Sequence, residues 1–410
     1  MLQLGNAHDQ RGIAGARGRR RGLGGGGERR AGLPERDGAG YAVHRRIESG
    51  QVGRLGDHPV GSAVSSAALA LDAASGTLYV GGGKLDIDSS TWSALGSGMG
   101  GDVYALALDA ASGVLYLGGD FTSAGGDTGI KYLAKFDVAS STFSALGAGL
   151  DNVINAEAAA VFTLALDAAS GVLYAGGNFN REGLAKFDIA SSIWSAVGGG
   201  LPIDYLYGGV YALALDAASG ALYVGGTRWS YDVAGGDTGI HYLAKFDTAS
   251  STFSALPGGG VSSDVRVLLR DAESGVLYVG GDFTSAGGVS GTQRLAKFDI
   301  ASSTWSALGG GMSGANHVYA LALDAASGVL SVGGGFTSAG GSSEGLTTFD
   351  IASSTWSAVQ SVPSDDYVGR GAMALVIPTC AAGNVPTISG GACTPCRPGW
   401  YVKDYGSNRR

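Results

Sequence analysis

The sequence predicts an all-β fold, a β-propeller built from six four-stranded repeats, and three observations carry this prediction. A tripeptide of the type Lys-Phe-Asp recurs with its Asp at spacings of 51, 51, 59, 52 and 51 residues. A turn sequence of the type Asp-Ala-Ala-Ser-Gly recurs between these copies. No segment shows the 3.6-residue apolar period of a helix. A period near 50 residues with four short strands per unit is typical of a propeller blade.

Four elements mark each repeat. The Lys-Phe-Asp type places its Asp at Asp86, Asp137, Asp188, Asp247, Asp299 and Asp350. The "LALDAASG" type places its Asp at Asp72, Asp109, Asp167, Asp216, Asp271 and Asp324. A glycine pair follows a "LYV" triplet, and an aromatic residue recurs as Trp92, Phe143, Trp194, Phe253, Trp305 and Trp356.

One repeat, residues 103–146, contains four predicted strands, here called A to D. They are "VYALALD", "GVLYLGG", "YLAKFDV" and "TFSALG", each bounded by Gly, Ser or Asp. Strand A is apolar with small Ala at alternate positions, as expected for a strand buried near a crowded axis. The segment "GAMALVI" (371–377) resembles a seventh strand A, so closure with six or with seven blades is left open.

Segments of different composition flank the propeller, which is predicted over residues 61–377. Residues 1–60 contain 11 Arg, no Lys and 6 acidic residues. One interpretation is a disordered basic tail. The other is a blade read in a shifted frame, because a coding string for Tyr41 to Arg46, read one base later, encodes Thr-Leu-Tyr-Ile-Gly-Gly. Residues 378–410 form a short cysteine-containing tail.

Charge and hydropathy exclude several classes of function. The net charge of the chain is −8, and residues 61–410 carry 16 basic against 29 acidic residues. This balance argues against nucleic acid as a partner, since binding to phosphates needs clustered Lys and Arg. No apolar run is long enough to span a membrane, and no signal peptide is visible. The expected partner is an unknown protein or a glycan, and the oligomeric state is not predicted.

The recurring Asp residues are predicted to form turns. Asp followed by small residues, Ser and Gly is a turn sequence, and a single ligand site would not need a copy in every blade. The "DIASSTW" stretch is interpreted in the same way, with its Trp packed between blades. The five His residues are scattered and no catalytic motif is present, so neither a metal, a cofactor nor a catalytic residue is predicted. A carboxylate-based hydrolase stays open.

Candidate binding residues come from the connections that differ between repeats. Strands alternate in direction, so the B–C and D–A connections lie on one face, and binding residues usually lie on loops of a rigid scaffold. The aromatic and charged residues of these loops are Trp229, Tyr231, Asp232, His241, Tyr205, Tyr207, Asp204, Arg181, Glu182 and Asp151. The alternative is sequence drift in unconstrained loops.

The pattern "GGDFTSAGG…YLAKFD…STFSALG…VYALALD" resembles the kelch-type propeller repeats of fungal cortical polarity-marker proteins and of bacterial secreted repeat proteins. The stretch "CAAGNVPTISGGACTPCRPGWY" (380–401) resembles the start of an ephrin-receptor-like cysteine-rich module, which stops before its pattern is complete. These resemblances imply an extracellular or cell-surface location and disulfide bonding among Cys380, Cys393 and Cys396. The pairing is open, and zinc binding at Cys393 and Cys396 is the alternative. The expected function is non-catalytic binding or scaffolding, with a glycan-active enzyme or a structural repeat spacer as alternatives.

Overall fold

The computed structural model describes residues 4–5, 68–147 without 88 and 90, 160–179, 183–198, 209–227, 240–310, 312–313, 317–358 without 326, 337, 340, 341 and 344, 384–386 and 393–395. Within them the chain forms an all-β propeller of six blades, each with four antiparallel strands in chain order, which confirms the predicted fold class. The segment 371–377, predicted as a seventh strand A, lies outside the described residues.

The strands of each blade have the following bounds. Blade 1 has β2 (Leu69–Asp72), β3 (Thr77–Val80), β4 (Gly83–Asp86) and β5 (Thr91–Ala94). Blade 2 has β6 (Val103–Asp109), β7 (Val114–Gly119), β8 (Leu133–Asp137) and β9 (Thr142–Ser144). Blade 3 has β10 (Ala160–Asp167), β11 (Val172–Asn178), β12 (Leu184–Asp188) and β13 (Ile193–Ala196). Blade 4 has β14 (Val210–Asp216), β15 (Ala221–Gly226), β16 (Leu243–Asp247) and β17 (Thr252–Ala255). Blade 5 has β18 (Val265–Asp271), β19 (Val276–Gly281), β20 (Leu295–Asp299) and β21 (Thr304–Ala307). Blade 6 has β23 (Val318–Asp324), β24 (Val329–Gly334), β27 (Leu346–Asp350) and β28 (Thr355–Ala358).

Shorter elements accompany the blades. β1 (Leu4–Gly5) pairs with strand A of blade 6. β22 (Met312–Ser313), β25 (Ser338–Ala339) and β26 (Ser342–Ser343) form a small separate sheet. A 3₁₀ helix spans Pro257–Gly259. β29 (Asn384–Pro386) pairs with β30 (Cys393–Pro395), which contains one of the three cysteines.

The core lies between the blades. Strand B, which has a neighbouring strand on each side, is the most buried, and every residue of β7 and β15 is buried. Strand D is the outer edge of each sheet. In β9 and β17 an exposed Thr and an exposed Ser flank a half-buried Phe, and in β21 an exposed Thr precedes the buried Trp305. Short polar edges of this kind limit edge-to-edge aggregation.

Aromatic pairs join the outer strands within blades 2 to 6. The Phe of strand C stacks obliquely on the aromatic residue of strand D at 4.8–5.0 Å between ring centroids. The pairs are Phe136–Phe143, Phe187–Trp194, Phe246–Phe253, Phe298–Trp305 and Phe349–Trp356. Two indoles also reach the previous blade, since Trp194 Nε1 donates to the Leu146 carbonyl at 3.1 Å and Trp305 Nε1 to the Pro257 carbonyl at 2.8 Å. The aromatic residue of strand D therefore packs between blades, as predicted.

The glycine pair that ends strand B has two separate structural roles. A Cβ on the first glycine, Gly280, would lie 2.7 Å from a methyl carbon of Val318 in the next blade. A Cβ on the second, Gly281, would overlap the backbone carbonyl of Asp264 in its own blade. The first glycine thus leaves space for a valine side chain of the following blade. The second glycine lets the start of strand A approach the end of strand B.

Candidate functional site

The two ends of the propeller differ in the connections that they carry. Strand order places the A–B and C–D turns at one end, here the turn face, and the B–C and D–A connections at the other, here the loop face. This arrangement is the one that the alternation of strand direction predicts. The loop face is therefore the place to look for residues that differ between blades.

The Asp residues of the turn face form local hydrogen bonds. In an A–B turn, Asp109 accepts from Ser112 Oγ at 2.6 Å and from the Ala111 amide at 3.2 Å. In a C–D turn, Asp299 accepts from the amide and the hydroxyl of Ser302 at 2.7 and 2.6 Å. These hydrogen bonds hold the pKa of Asp299 below its usual range. Both Asp types thus form turns, as predicted.

Among the described residues, no group of three or more His, Cys, Asp or Glu side chains is arranged to hold a metal ion. These residues also include no helix with the length and apolar character needed to cross a membrane.

Nine of the ten candidate binding residues lie outside the described residues, in loops whose flanking strands are described. Asp151 falls between β9 and β10, and Arg181 and Glu182 fall between β11 and β12. The loop between β13 and β14 contains Asp204, Tyr205 and Tyr207, and the loop between β15 and β16 contains Trp229, Tyr231 and Asp232. The described candidate, His241, is half-buried with its ring centroid 6.4 Å from that of Tyr242. All four loops are attached to blade 3 or to blade 4.

The loops of blades 2, 5 and 6 are built alike. In each, the D–A connection pairs with the B–C connection that follows it: Met99 with Ala124, Val261 with Ala286, and β22 with β25. A Phe after each glycine pair, at Phe121, Phe283 and Phe336, is at most 1% exposed beneath this pairing. These loops therefore share one construction, and the candidate residues lie in the loops attached to blades 3 and 4.

A row of side chains from blades 2 to 6 lies at the start of strand A, on the loop face. Strand A of blades 2 to 6 carries a β-bulge near its first residue, and bulges re-aim side chains. The bulged residues are Tyr104, Phe162, Tyr211, Arg266 and Tyr319. Next to them lie Asp102, Asp264 and His317, two positions before a bulge, and Asp120 and Asp282, directly after a glycine pair. We call these ten residues the channel mouth.

Three aromatic rings form one side of the channel mouth. The centroids of Tyr104 and Phe162 are 5.9 Å apart, and those of Phe162 and Tyr211 are 5.3 Å apart with nearly parallel planes. The three residues are at most 6% exposed. Tyr104 donates its hydroxyl to Asp120 at 2.7 Å. Burial, together with that hydrogen bond and the charge of Asp120, raises the pKa of the Tyr104 phenol, which stays a donor at neutral pH.

The part of the channel mouth next to Tyr211 is charged. The guanidinium of Arg266 lies 4.7 Å from the Tyr211 ring centroid and 3.0 Å from carboxylate oxygens of both Asp264 and Asp282. The second oxygen of Asp282 is 2.5 Å from Nδ1 of His317, at the start of blade 6. A chain of contacts therefore runs from the aromatic side through blade 5 to blade 6, where the His317 ring meets Tyr319 at 5.6 Å.

The carboxylates around Arg266 have opposite pKa shifts. Burial and the charge of Asp282 raise the pKa of Asp264 in spite of Arg266. For Asp282, burial acts in the same direction, but hydrogen bonds from His317 and Arg266 outweigh it and lower the pKa. Asp264 is thus the less compensated of the two charges.

Sequence reasoning did not identify the channel mouth. Its residues lie inside or beside strand A, which was interpreted as a buried apolar strand. A usable signal was present, since the second position of "VYALALD" holds a large residue in every repeat from blade 2 onward and Arg only in blade 5.

Among the comparisons with known proteins, one family model matches part of the chain. Residues 240–367 match the family described as the Rax2 C-terminal beta propeller domain. No curated protein matches the chain. Among solved structures, the chain is similar to the extracellular domain of a hybrid two component system from B. thetaiotaomicron, with 14% identity and a TM-score of 0.49, covering 75% of this chain and 36% of that one.

A second solved structure of similar rank is the GH74 xyloglucanase from Xanthomonas campestris. It shows 19% identity and a TM-score of 0.49, with 72% of this chain and 45% of that chain covered. The chain therefore spans less than half the length of these two proteins.

Proposed function

We propose that this protein is a non-catalytic binding or scaffold protein, located outside the cell or at the cell surface, that contacts its partner through the loop face. The contact surface would be formed by the loops attached to blades 3 and 4. The kelch-type nature of the repeats, the ephrin-receptor-like tail and its disulfide bonding belong to the same proposal. The partner would be a protein or a glycan.

One observation supports the proposal: the four loops that contain the candidate residues are attached to two adjacent blades. Drift in unconstrained loops would affect any blade, whereas the described loops of blades 2, 5 and 6 share one construction. Phe162 and Tyr211, which are 2% and 5% exposed, stack at the starts of strand A in the same two blades. They form a rigid base beside the loops.

The composition of the loops suits a contact surface. Tyr205, Tyr207, Trp229 and Tyr231 are residues with large apolar area and one polar end. Such residues contribute strongly to binding at interfaces because they bury much surface and lose little conformational entropy. The acidic residues among the candidates would select partners of opposite charge.

The test is a binding screen with paired variants. The full chain is screened on glycan arrays and on arrays of extracellular proteins, and each partner is measured again with Trp229→Ala/Tyr231→Ala. We expect at least one partner to lose about 10-fold or more in affinity, the loss expected when central aromatic contacts are truncated.

Matched controls come from the regular loops. Thr128→Ala in blade 2 and Gln293→Ala in blade 5 change exposed loop residues and should leave the affinity unchanged. The proposal is wrong if no partner distinguishes the two sets of variants. Turnover of an arrayed glycan by the purified chain would favour the enzyme instead.

A further inference from the structure

Apolar clusters join each described blade to the next, but one cluster belongs to blade 1 alone. The seams from blades 1 and 2 through to blades 5 and 6 each contain buried side chains of both blades. The further cluster contains Leu69, Leu78, Val80 and Leu85, with Leu71, Ile87 and Trp92 packed against them. We call these seven residues the leading face of blade 1.

The leading face has the composition of a seam between blades. Its four buried members take the positions by which blade 2 packs on blade 1. Those residues of blade 2 are Leu106, Leu115, Leu117 and Phe136. The four members are themselves at most 5% exposed, although no other described blade contributes to their cluster. Because the side chains of an uncovered sheet face stay in contact with water, this burial requires a covering element from outside the described blades.

Blade 6 also has one face without a described neighbour. In blades 1 to 5 a Tyr of strand B packs toward the following blade. These residues are Tyr79, Tyr116, Tyr174, Tyr223 and Tyr278. The corresponding residue of blade 6 is Ser331, which is 3% exposed. Strand A contacts strand A of the next blade from β2 through to β23, whereas among the described strands no comparable contact joins β23 to β2. The ring of described blades is therefore open between blades 6 and 1.

The segment 372–377, which lies outside the described residues, follows blade 6 at the spacing of a next strand A. Its sequence "AMALVI" keeps the Ala-Leu pair of "VYALAL" at the third and fourth positions. Thirteen residues, 359–371, separate it from the end of β28. The same number, 197–209, separates β13 from β14. A connection of this length joins blade 3 to blade 4, so it is long enough to reach the position that follows blade 6.

The repeat register assigns a direction to the apolar residues of this segment. Leu375 and Ile377 take the positions of Leu321 and Leu323, which pack toward the preceding blade. Val376 takes the position of Leu269, which packs toward the following blade. Apolar residues therefore alternate onto both sides of the segment, as required for a strand that is buried between two blades.

We propose that residues 372–377 lie between blade 6 and blade 1 as strand A of an incomplete seventh blade. The strand packs on the leading face of blade 1 and on the Ser331 side of blade 6, where the smaller side chain leaves room for Leu375 and Ile377. Like the other A strands it runs from the loop face to the turn face. The cysteine-containing tail then begins at the turn face, opposite the proposed contact surface. The inference goes beyond the proposed function and does not depend on it.

The first test uses the full, unaltered chain. Hydroxyl-radical labelling, read by mass spectrometry, reports the solvent access of each side chain, and each rate is divided by that of the same residue in the urea-unfolded chain. We expect Leu375 and Ile377 to be labelled at least about 5-fold less than Val362 and Val368 of the preceding connection, because a packed seam excludes solvent. Equal labelling of the segment and the connection overturns the inference.

The second test compares two variants of the full chain, both measured well below their melting temperatures. Val376→Asp places a charge in the seam, which expels the segment because an unpaired charge is costly to bury. We expect it to raise the labelling of Leu78 and Val80 on the leading face by about 5-fold or more. The corresponding residues of blade 4, Leu222 and Val224, lie in a complete seam and should not change.

Val368→Asp is the matched control, since it makes the same chemical change in the connection that precedes the segment. It should leave the labelling of Leu78 and Val80 as it is in the parent chain. The inference is overturned if Val376→Asp also leaves these two residues unchanged, or if the two variants raise their labelling equally.

The N-terminal segment is the competing occupant, because Leu4–Gly5 pairs with β23. A chain that lacks residues 1–60 should keep the low labelling of Leu78 and Val80. If this deletion raises their labelling and Val376→Asp does not, the N-terminal segment covers the leading face and the inference is overturned. None of these measurements uses a binding partner, so their outcome is separate from that of the proposed function.

Discussion

Five serines occupy a backbone conformation that usually belongs to glycine. Ser141, Ser192, Ser251, Ser303 and Ser354 have φ between 56° and 58°, each directly before strand D. A side chain in this left-handed region costs about 1–2 kcal/mol. The serine before each of them is different, since Ser302 donates twice to Asp299 and lies 2.8 Å from Thr304 Oγ1. Nothing in the structure explains why the second position is not glycine.

We therefore expect Ser303→Gly to stabilise the fold. Relief of the left-handed strain is partly offset by the greater backbone freedom of glycine in the unfolded chain, leaving about 0.5–1 kcal/mol. The measurement is the free energy of unfolding in urea.

Ser302→Gly is the control, because it makes the same chemical change one residue earlier. It removes the hydroxyl that hydrogen-bonds to Asp299 and Thr304, and it should destabilise the fold by about 1 kcal/mol. Equal effects of the two substitutions would show that backbone strain does not distinguish these positions.

At the scale of the strand, the glycine pair offers a test of its two roles. Gly280→Ala adds a methyl group against the side chains of Val267 and Val318, whereas Gly281→Ala adds one against the Asp264 carbonyl. Side chains can shift and a paired backbone cannot, so we expect Gly281→Ala to be the more destabilising, by about 3 kcal/mol or more.

A compensating variant separates the two roles further. Val318→Ala should recover part of the stability lost in Gly280→Ala, because it vacates the space that the added methyl needs. It should recover nothing in Gly281→Ala. Thermal melts of the four combinations give the result, and equal rescue of both glycine variants would contradict the assignment.

The strands were predictable because strong local signals coincide. In blade 2 the predicted strands "VYALALD" and "YLAKFDV" correspond to Val103–Asp109 and Leu133–Asp137, since β-branched and apolar residues are bounded by turn sequences in every copy. The channel mouth was not predictable from alternation. A β-bulge adds one residue and turns it out of the pleat, so Tyr104 and Arg266 leave the direction that strict alternation assigns.

The loop candidates illustrate a second limit of the sequence. The aromatic and charged residues of the varying connections identified the loops with Tyr205, Trp229 and their neighbours. They do not show that these loops are attached to adjacent blades. The strand order shows this attachment, because each of the four loops begins or ends at a strand between β10 and β16. Pairing such as that between Met312 and Ala339 joins residues far apart in the chain and has no local sequence signal.

Across the whole molecule, an ion pair joins blades 4 and 5 at the turn face. Arg270 Nη2 lies 2.8 Å from Asp216, and the two side chains are 13% and 6% exposed. Burial alone would raise the pKa of Asp216, but hydrogen bonds from Ser219 and the charge of Arg270 lower it. Strand A of the other described blades has Leu at the position of Arg270, so the pair is a local addition to an otherwise apolar seam.

We expect this ion pair to contribute to the pH dependence of the free energy of unfolding. A carboxyl whose pKa is lowered in the fold contributes stability above its unfolded pKa of about 3.9, and this is lost as pH falls through the folded value. Asp216→Asn should remove that component of the acid sensitivity. It should also cost about 3 kcal/mol at neutral pH, because Arg270 stays buried without its partner.

The double variant Asp216→Asn/Arg270→Leu is the control, since it restores the residue that other blades have. Its free energy of unfolding at pH 7 should return to within about 1 kcal/mol of the parent. An unchanged acid transition in Asp216→Asn would show that other carboxyls govern the response to low pH.

The first glycine of the pair that ends strand B also affects when each blade can complete its core during synthesis. Gly118, Gly176, Gly225 and Gly280 each receive a valine from the blade that follows in the chain, so a blade leaving the ribosome lacks part of its core until its successor emerges. At translation rates of about 5–20 residues per second, a repeat of 51 residues takes roughly 3–10 s to appear. During that interval each newly made blade exposes the apolar face that its successor will cover. A chaperone would bind this chain most readily in that interval.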